Sequence, residues 1–120
     1  LQPKLIDFSL SEYAAFASVG MDATKIQSEL DADAAQLNKL GYDAQLCLVD
    51  FGETAESVVR NHLQHKKYDC VLIGAGVRTV GKNFLLFEKL INIVHMHAPQ
   101  ANICFNTKPN DNIEAVQRWI

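Results

Sequence analysis

Two short stretches of this chain carry residue types that can hold an anion: Gly74-Ala75-Gly76-Val77-Arg78-Thr79-Val80-Gly81 and Asn106-Thr107-Lys108-Pro109. Glycines let main-chain N–H groups approach a phosphate closely, a guanidinium and an ammonium supply charge, and a hydroxyl orients the bound group. The glycine stretch departs from dinucleotide-binding spacing. Thr79 stands at the third glycine, Gly81 falls two residues late, and the stretch about 20 positions on, where a ribose-binding acid would close a strand, reads as helix. Three readings stay open: a dinucleotide loop, a turn whose glycines serve backbone geometry alone, and a non-nucleotide anion contact made with Arg78. The candidate ligand-binding set is Gly74, Gly76, Arg78, Asn106, Thr107 and Lys108.

Other chemistries find less support. His95 and His97 are two apart, so on a helix they point about 200° away from each other and cannot chelate one ion. His62 and His65 have a workable spacing, but His62 falls on the apolar stripe of Ala55, Val58 and Val59 and reads as a packed histidine. The sequence has no G-x-S-x-G elbow, and none of Cys47, Cys70 and Cys104 has an argued histidine partner. Asp50, Glu53 and Glu56 follow an apolar run and could act as acids or bases, which leaves a small hydrolase or transferase using Asp50 or Glu53 as an alternative, but acids there favour the start of a helix. The expectation is a non-catalytic protein with no metal and no cofactor.

The elements that must position these residues follow from periodicity. Ala44 to Val49, Cys70 to Ile73 and Asn102 to Phe105 are short apolar runs that suit strands covered on both faces. Residues 22 to 40 change to a period of 3.6, with Ala23, Ile26, Leu30, Ala34, Leu37 and Leu40 on one stripe, Asp22 as N-cap and Gly41 as the C′ glycine. Thr54 can cap a second helix to about Lys67, Asn83 a third to about His97, and Asp111 or Asn112 a last one through Arg118. Helix and strand alternate with connections too long for hairpins, which predicts α/β layering with a mostly parallel sheet. Pro3 to Phe8 is the only candidate for a strand before the first helix, and Asp7 interrupts it, so the first strand reads as weak or missing. A first residue of Leu1 instead of Met reads as a fragment or processed form, and a strand upstream is one alternative. Ser9 to Gly20 then forms a long loop at the carboxyl end of that strand, where functional rims often lie.

Tyr68-Asp69-Cys70-Val71-Leu72-Ile73-Gly74 resembles the third strand of response-regulator receiver domains, and Thr107-Lys108-Pro109 resembles the turn that closes their fifth. The likeness implies a three-layer α/β sandwich of flavodoxin-like or receiver-like topology over residues 20 to 120. In that family the third strand ends in a phosphorylated aspartate, whereas Gly74 stands there in this chain, so the resemblance argues against aspartyl-phosphate chemistry. Phe105-Asn106-Thr107 and the glycine loop are also similar to small bacterial proteins of unassigned function.

Composition sets the outer bounds. With 120 residues, 48% of them hydrophobic and 21% charged, the chain suits one globular domain over residues 1–120 and excludes collagen, coiled coil and disorder. Residues 1 to 57 carry ten acids and three bases, and residues 58 to 120 four acids and eight bases, a split of −7 and +4 that places anion affinity in the second half. The net charge of −3 and a longest basic run of Lys66-Lys67 exclude a nucleic-acid footprint. No apolar stretch reaches the roughly 18 residues that span a bilayer, and no leader pattern is seen. Three unpaired cysteines inside apolar runs point to a reducing, cytoplasmic setting. On the helix from Phe84 to Met96, Leu85 and Met96 fall on the polar side, which makes a homodimer through helix 84–96 the expected protein partner.

Overall fold

Residues 2–10, 23–50, 54–78, 81–108 and 111–120 are described by a computed structural model. Among them the chain runs β1 (Lys4–Leu10), α1 (Ala23–Lys39), β2 (Asp43–Val49), α2 (Ala55–His65), β3 (Cys70–Ile73), the one-turn α3 (Ala75–Arg78), a 3-10 turn, α4 (Phe84–His97), β4 (Asn102–Phe105) and α5 (Asn112–Gln117). The strands form a sheet of order β2-β1-β3-β4, parallel throughout. The fold is therefore α/β with an all-parallel sheet.

The first strand corrects the expectation of a weak or missing one. β1 is seven residues long and pairs along its length with β2 and over Leu5–Phe8 with β3. Alternation explains how it tolerates polar residues: Ile6 and Phe8 face one side, while Leu5, Asp7 and Ser9 face the other. Ser9 and Leu10 belong to this strand; the remainder of the expected loop, residues 11–20, lies outside the described residues.

Each face of the sheet is covered. Ile6, Phe8, Val71 and Ile73 pack with Val59 and Leu63 of α2 and Leu86, Leu90 and Val94 of α4. Leu5, Cys70, Leu72 and Cys104 pack with Leu37 of α1 and Ala115 and Val116 of α5. Only β3 is buried at all four positions. The Ala44 to Val49 and Asn102 to Phe105 runs are edge strands instead, which leaves Leu48 and Asn102 exposed, since an edge strand is only partly covered.

α1 ends as its sequence predicts. Gly41 has φ 102°, and Tyr42 N–H donates to Leu37 O at 3.1 Å, the closure that a left-handed residue after a helix permits. Leu40, placed on the buried stripe, is 49% exposed because the helix stops at Lys39, and Asp33 takes a buried position instead. Asp22 lies outside the described residues. α4 buries Leu86, Leu90, Ile93 and Val94, half-buries Phe87 and Ile91, and leaves Leu85 and Met96 exposed. Among the described residues no helix is long and apolar enough to cross a membrane.

Candidate functional site

In a parallel sheet every strand-to-helix turn emerges at the carboxyl edge. Here β1 and β3 are central neighbours, with β2 beyond the first and β4 beyond the second, so the carboxyl ends of all four strands lie along one edge. Gly74, Gly76, Asn106, Thr107 and Lys108 lie on that edge, at the ends of β3 and β4. Arg78 closes α3, but its side chain, with Thr79, Val80 and Pro109, lies outside the described residues.

Gly74 is buried, and its N–H donates to Phe8 O at 2.9 Å. A Cβ at this position would lie 2.6 Å from Ser9 Oγ, so a side chain here has to displace that hydroxyl. Gly76 O accepts from Asn83 Nδ2 at 3.0 Å, which ties α3 to the turn before α4. Asn106 is buried too. Its Oδ1 accepts from Ala75 N–H at 2.8 Å, and its Nδ2 donates to Asn112 Oδ1 at 2.6 Å.

Behind these residues sits a polar cluster that sequence reasoning missed. Asp7, in the central strand, accepts from Ser9 Oγ at 2.9 Å on Oδ1 and from Asn112 Nδ2 at 2.9 Å on Oδ2. Burial pushes its carboxyl up to about 7; the two hydrogen bonds favour the charged form and oppose the rise, and the negative Asp33 adds to it. Asp33 accepts the main-chain N–H of Asn112 at 3.0 Å and so holds the start of α5 from α1. Burial raises its carboxyl as well, against the pull of that N–H, with Glu114, Asp111 and Glu29 adding repulsion. The available signal was the alternation of Asp7 and Ser9, two polar residues on one face of an otherwise apolar strand.

The turn after β4 already holds an anion. Asp111 accepts from Thr107 N–H at 2.9 Å, from Lys108 N–H at 3.3 Å and from the Thr107 hydroxyl. Desolvation opposes its charge, but these donors outweigh it and hold the carboxyl below the ordinary range. The turn after β2 is closed alike: Asp50 accepts from Thr54 Oγ1 at 2.7 Å and from Ala55 N–H at 3.1 Å. Thr54 and Asp111 precede their helices without capping them by side-chain hydrogen bonds, so the expected Thr54 cap is replaced by Asp50.

His62 is half-buried against the Phe8 ring at 6.4 Å, with Gln45 Nε2 3.5 Å from its Nδ1, as a packed histidine would be. His65 Nδ1 lies 2.6 Å from Asn61 O. Among the described residues no group of three His, Cys, Asp or Glu side chains is placed to share a metal ion. The chain matches no protein-family model and no curated protein sequence.

Proposed function

We propose that this chain is a flavodoxin-like, receiver-like module that binds a small anionic or phosphate-bearing ligand, without catalysing a reaction, at the carboxyl edge of its sheet. The observation that carries this reading is the Thr107–Lys108 turn, whose two N–H groups and hydroxyl converge on the Asp111 carboxylate. Donors that hold a carboxylate of their own chain suit an outside anion that displaces Asp111 from them. Lys108 is exposed beside it, and the carboxyl edge is where open parallel sheets take ligands. Arg78 joins this site on the strength of the sequence alone. Three buried free thiols, Cys47, Cys70 and Cys104, favour a reducing cytoplasm as its setting. A thermal-shift series with inorganic phosphate, nucleotides and sugar phosphates tests the reading, because a ligand at 100 times its Kd adds about 2.7 kcal/mol. We expect a rise in Tm that Arg78→Ala with Lys108→Ala abolishes; a melting temperature indifferent to every anion overturns the site.

A second reading, an interaction module that forms a homodimer through α4, rests on the exposure of Leu85 at 67% and Met96 at 71%. Antiparallel pairing of two α4 helices about a two-fold axis between Leu90 and Ile91 would set Leu85 of each copy against Met96 of the other. Mass in solution decides it: a dimer that Leu85→Lys converts to monomer supports this reading, and a monomer at all concentrations ends it.

A further inference from the structure

Asp7 is left unused by the ligand reading, although it sits at the centre of the sheet and is 5% exposed. Both hydrogen bonds described at its carboxyl are donated to it. The donors can be traced outward. Ala75 N–H can only donate, so the Asn106 atom facing it is oxygen; the Asn106 amide nitrogen then faces Asn112 Oδ1, and the Asn112 amide nitrogen faces Asp7. A directed run of hydrogen bonds thus starts on the main chain of α3, passes the turn after β4 and the first residue of α5, and ends on one carboxyl in β1.

The surroundings favour a change of charge on that carboxyl. Its register neighbours Leu46 and Leu72 are apolar, and Asp33, from α1, is an added negative charge that itself feels Glu29, Asp111 and Glu114. Cys47 of the adjacent β2 and Cys104 of β4, one strand beyond β3, feel Asp7; burial raises the Cys47 thiol, the hydrogen bond to Cys70 with burial raises that of Cys104, and the same hydrogen bond lowers Cys70 of β3. The ion pairs among the described residues, Glu56–Arg60 and Asp43–Lys66, involve other groups.

We infer that Asp7 is a proton-operated latch: ionised, it draws Asn112 and Asn106 inward and holds the starts of α3 and α5 to the sheet, and protonated, it slackens that hold. The step is a single proton transfer from solvent to a carboxylate oxygen. The new O–H needs an acceptor, and Ser9 Oγ, 2.9 Å from Oδ1, becomes one when its own hydrogen turns away. The Asn112 bond then changes from a charge-assisted to a neutral one, roughly half as strong. With the carboxyl raised to about 7, the latch works around neutral pH. This inference does not depend on whether the edge binds an anion.

Carbon-13 and nitrogen-15 NMR of the whole labelled chain from pH 4.5 to 8.5 tests it. We expect the Asp7 carboxyl, the Ala75 amide and the side-chain amides of Asn106 and Asn112 to share one midpoint near 7, and Asp7→Asn to abolish the response of the last three. Ser9→Ala removes a donor to the charged form and is expected to move the midpoint up by roughly one unit; it carries the test if Asp7→Asn does not fold. A carboxyl that titrates near 4, reporters that keep their response in Asp7→Asn, or a midpoint indifferent to Ser9→Ala overturns the latch.

Discussion

Gly74 and Asp7 show how one residue can be settled by a neighbour remote in sequence. Gly74→Ala brings a Cβ within 2.6 Å of Ser9 Oγ, a group already bonded to Asp7, so relief by rotation costs that bond. We expect a loss of about 1–3 kcal/mol, as for other overpacked sites. Ser9→Ala should recover part of it, and a double-mutant cycle by urea denaturation measures how much. A cycle with no coupling would mean that the glycine answers to backbone conformation instead. Asp7 sets a second prediction, with its sign reversed from that of most acids. Its carboxyl is raised from 3.8 to about 7 by burial, so between those values the folded chain keeps a proton that the unfolded chain has released. Stability then falls as pH climbs from about 4 to about 7 and levels off above, at up to about 1.4 kcal/mol per unit. Asp111, held low by Thr107 and Lys108, acts the other way and loses its contribution only as pH falls below about 4. Denaturation midpoints measured from pH 5 to 8 should decline for the parent and decline less for Asp7→Asn, in which the raised Asp33 remains.

α4 divides its apolar residues between two environments. Leu90 is 0% exposed against Phe8, Val71 and their neighbours, whereas Leu85 is 67% exposed. Leu90→Ala should cost about 2–5 kcal/mol through the cavity it leaves. Leu85→Ala should change stability by no more than about 0.5 kcal/mol. Equilibrium unfolding in urea separates the two, and comparable losses would show that the exposed end of α4 is covered in solution. Ile91, next to Leu90 on the same helix, is only half-buried, so its truncation falls between these limits. The strands show the same influence of position. Ala44 to Val49 and Cys70 to Ile73 read alike in sequence, but the first lies at an edge and the second between β1 and β4.

For the whole molecule, the parallel order places Cys70 and Cys104 on adjacent strands with their sulfurs 3.3 Å apart, 0% and 1% exposed. The hydrogen bond to Cys70, with burial, pushes the Cys104 thiol far up, so it is neither ionised nor reachable in the folded chain. Labelling by a disulfide reagent should therefore wait for global opening, with rates that rise in urea in step with unfolding. Fast labelling in buffer would contradict the packing of β3 against β4.

The layering, the helix from Ala23 to Lys39, the glycine at its end and the buried face of α4 were legible in the chain, because each depends on periodicity or on a local backbone requirement. So was the gathering of Gly74, Asn106, Thr107 and Lys108 on one edge, since parallel connections leave no other place for strand-to-helix turns. The rank of β1 was not legible. Asp7 and Ser9 break an apolar run, and only the fold brings Asn112, 105 residues away, to satisfy the carboxyl that makes a central strand of it tolerable. Nor could sequence say that Asp111 fills the turn after β4, or which apolar run forms an edge. Those outcomes depend on pairings between residues far apart in the chain, and no local pattern encodes them.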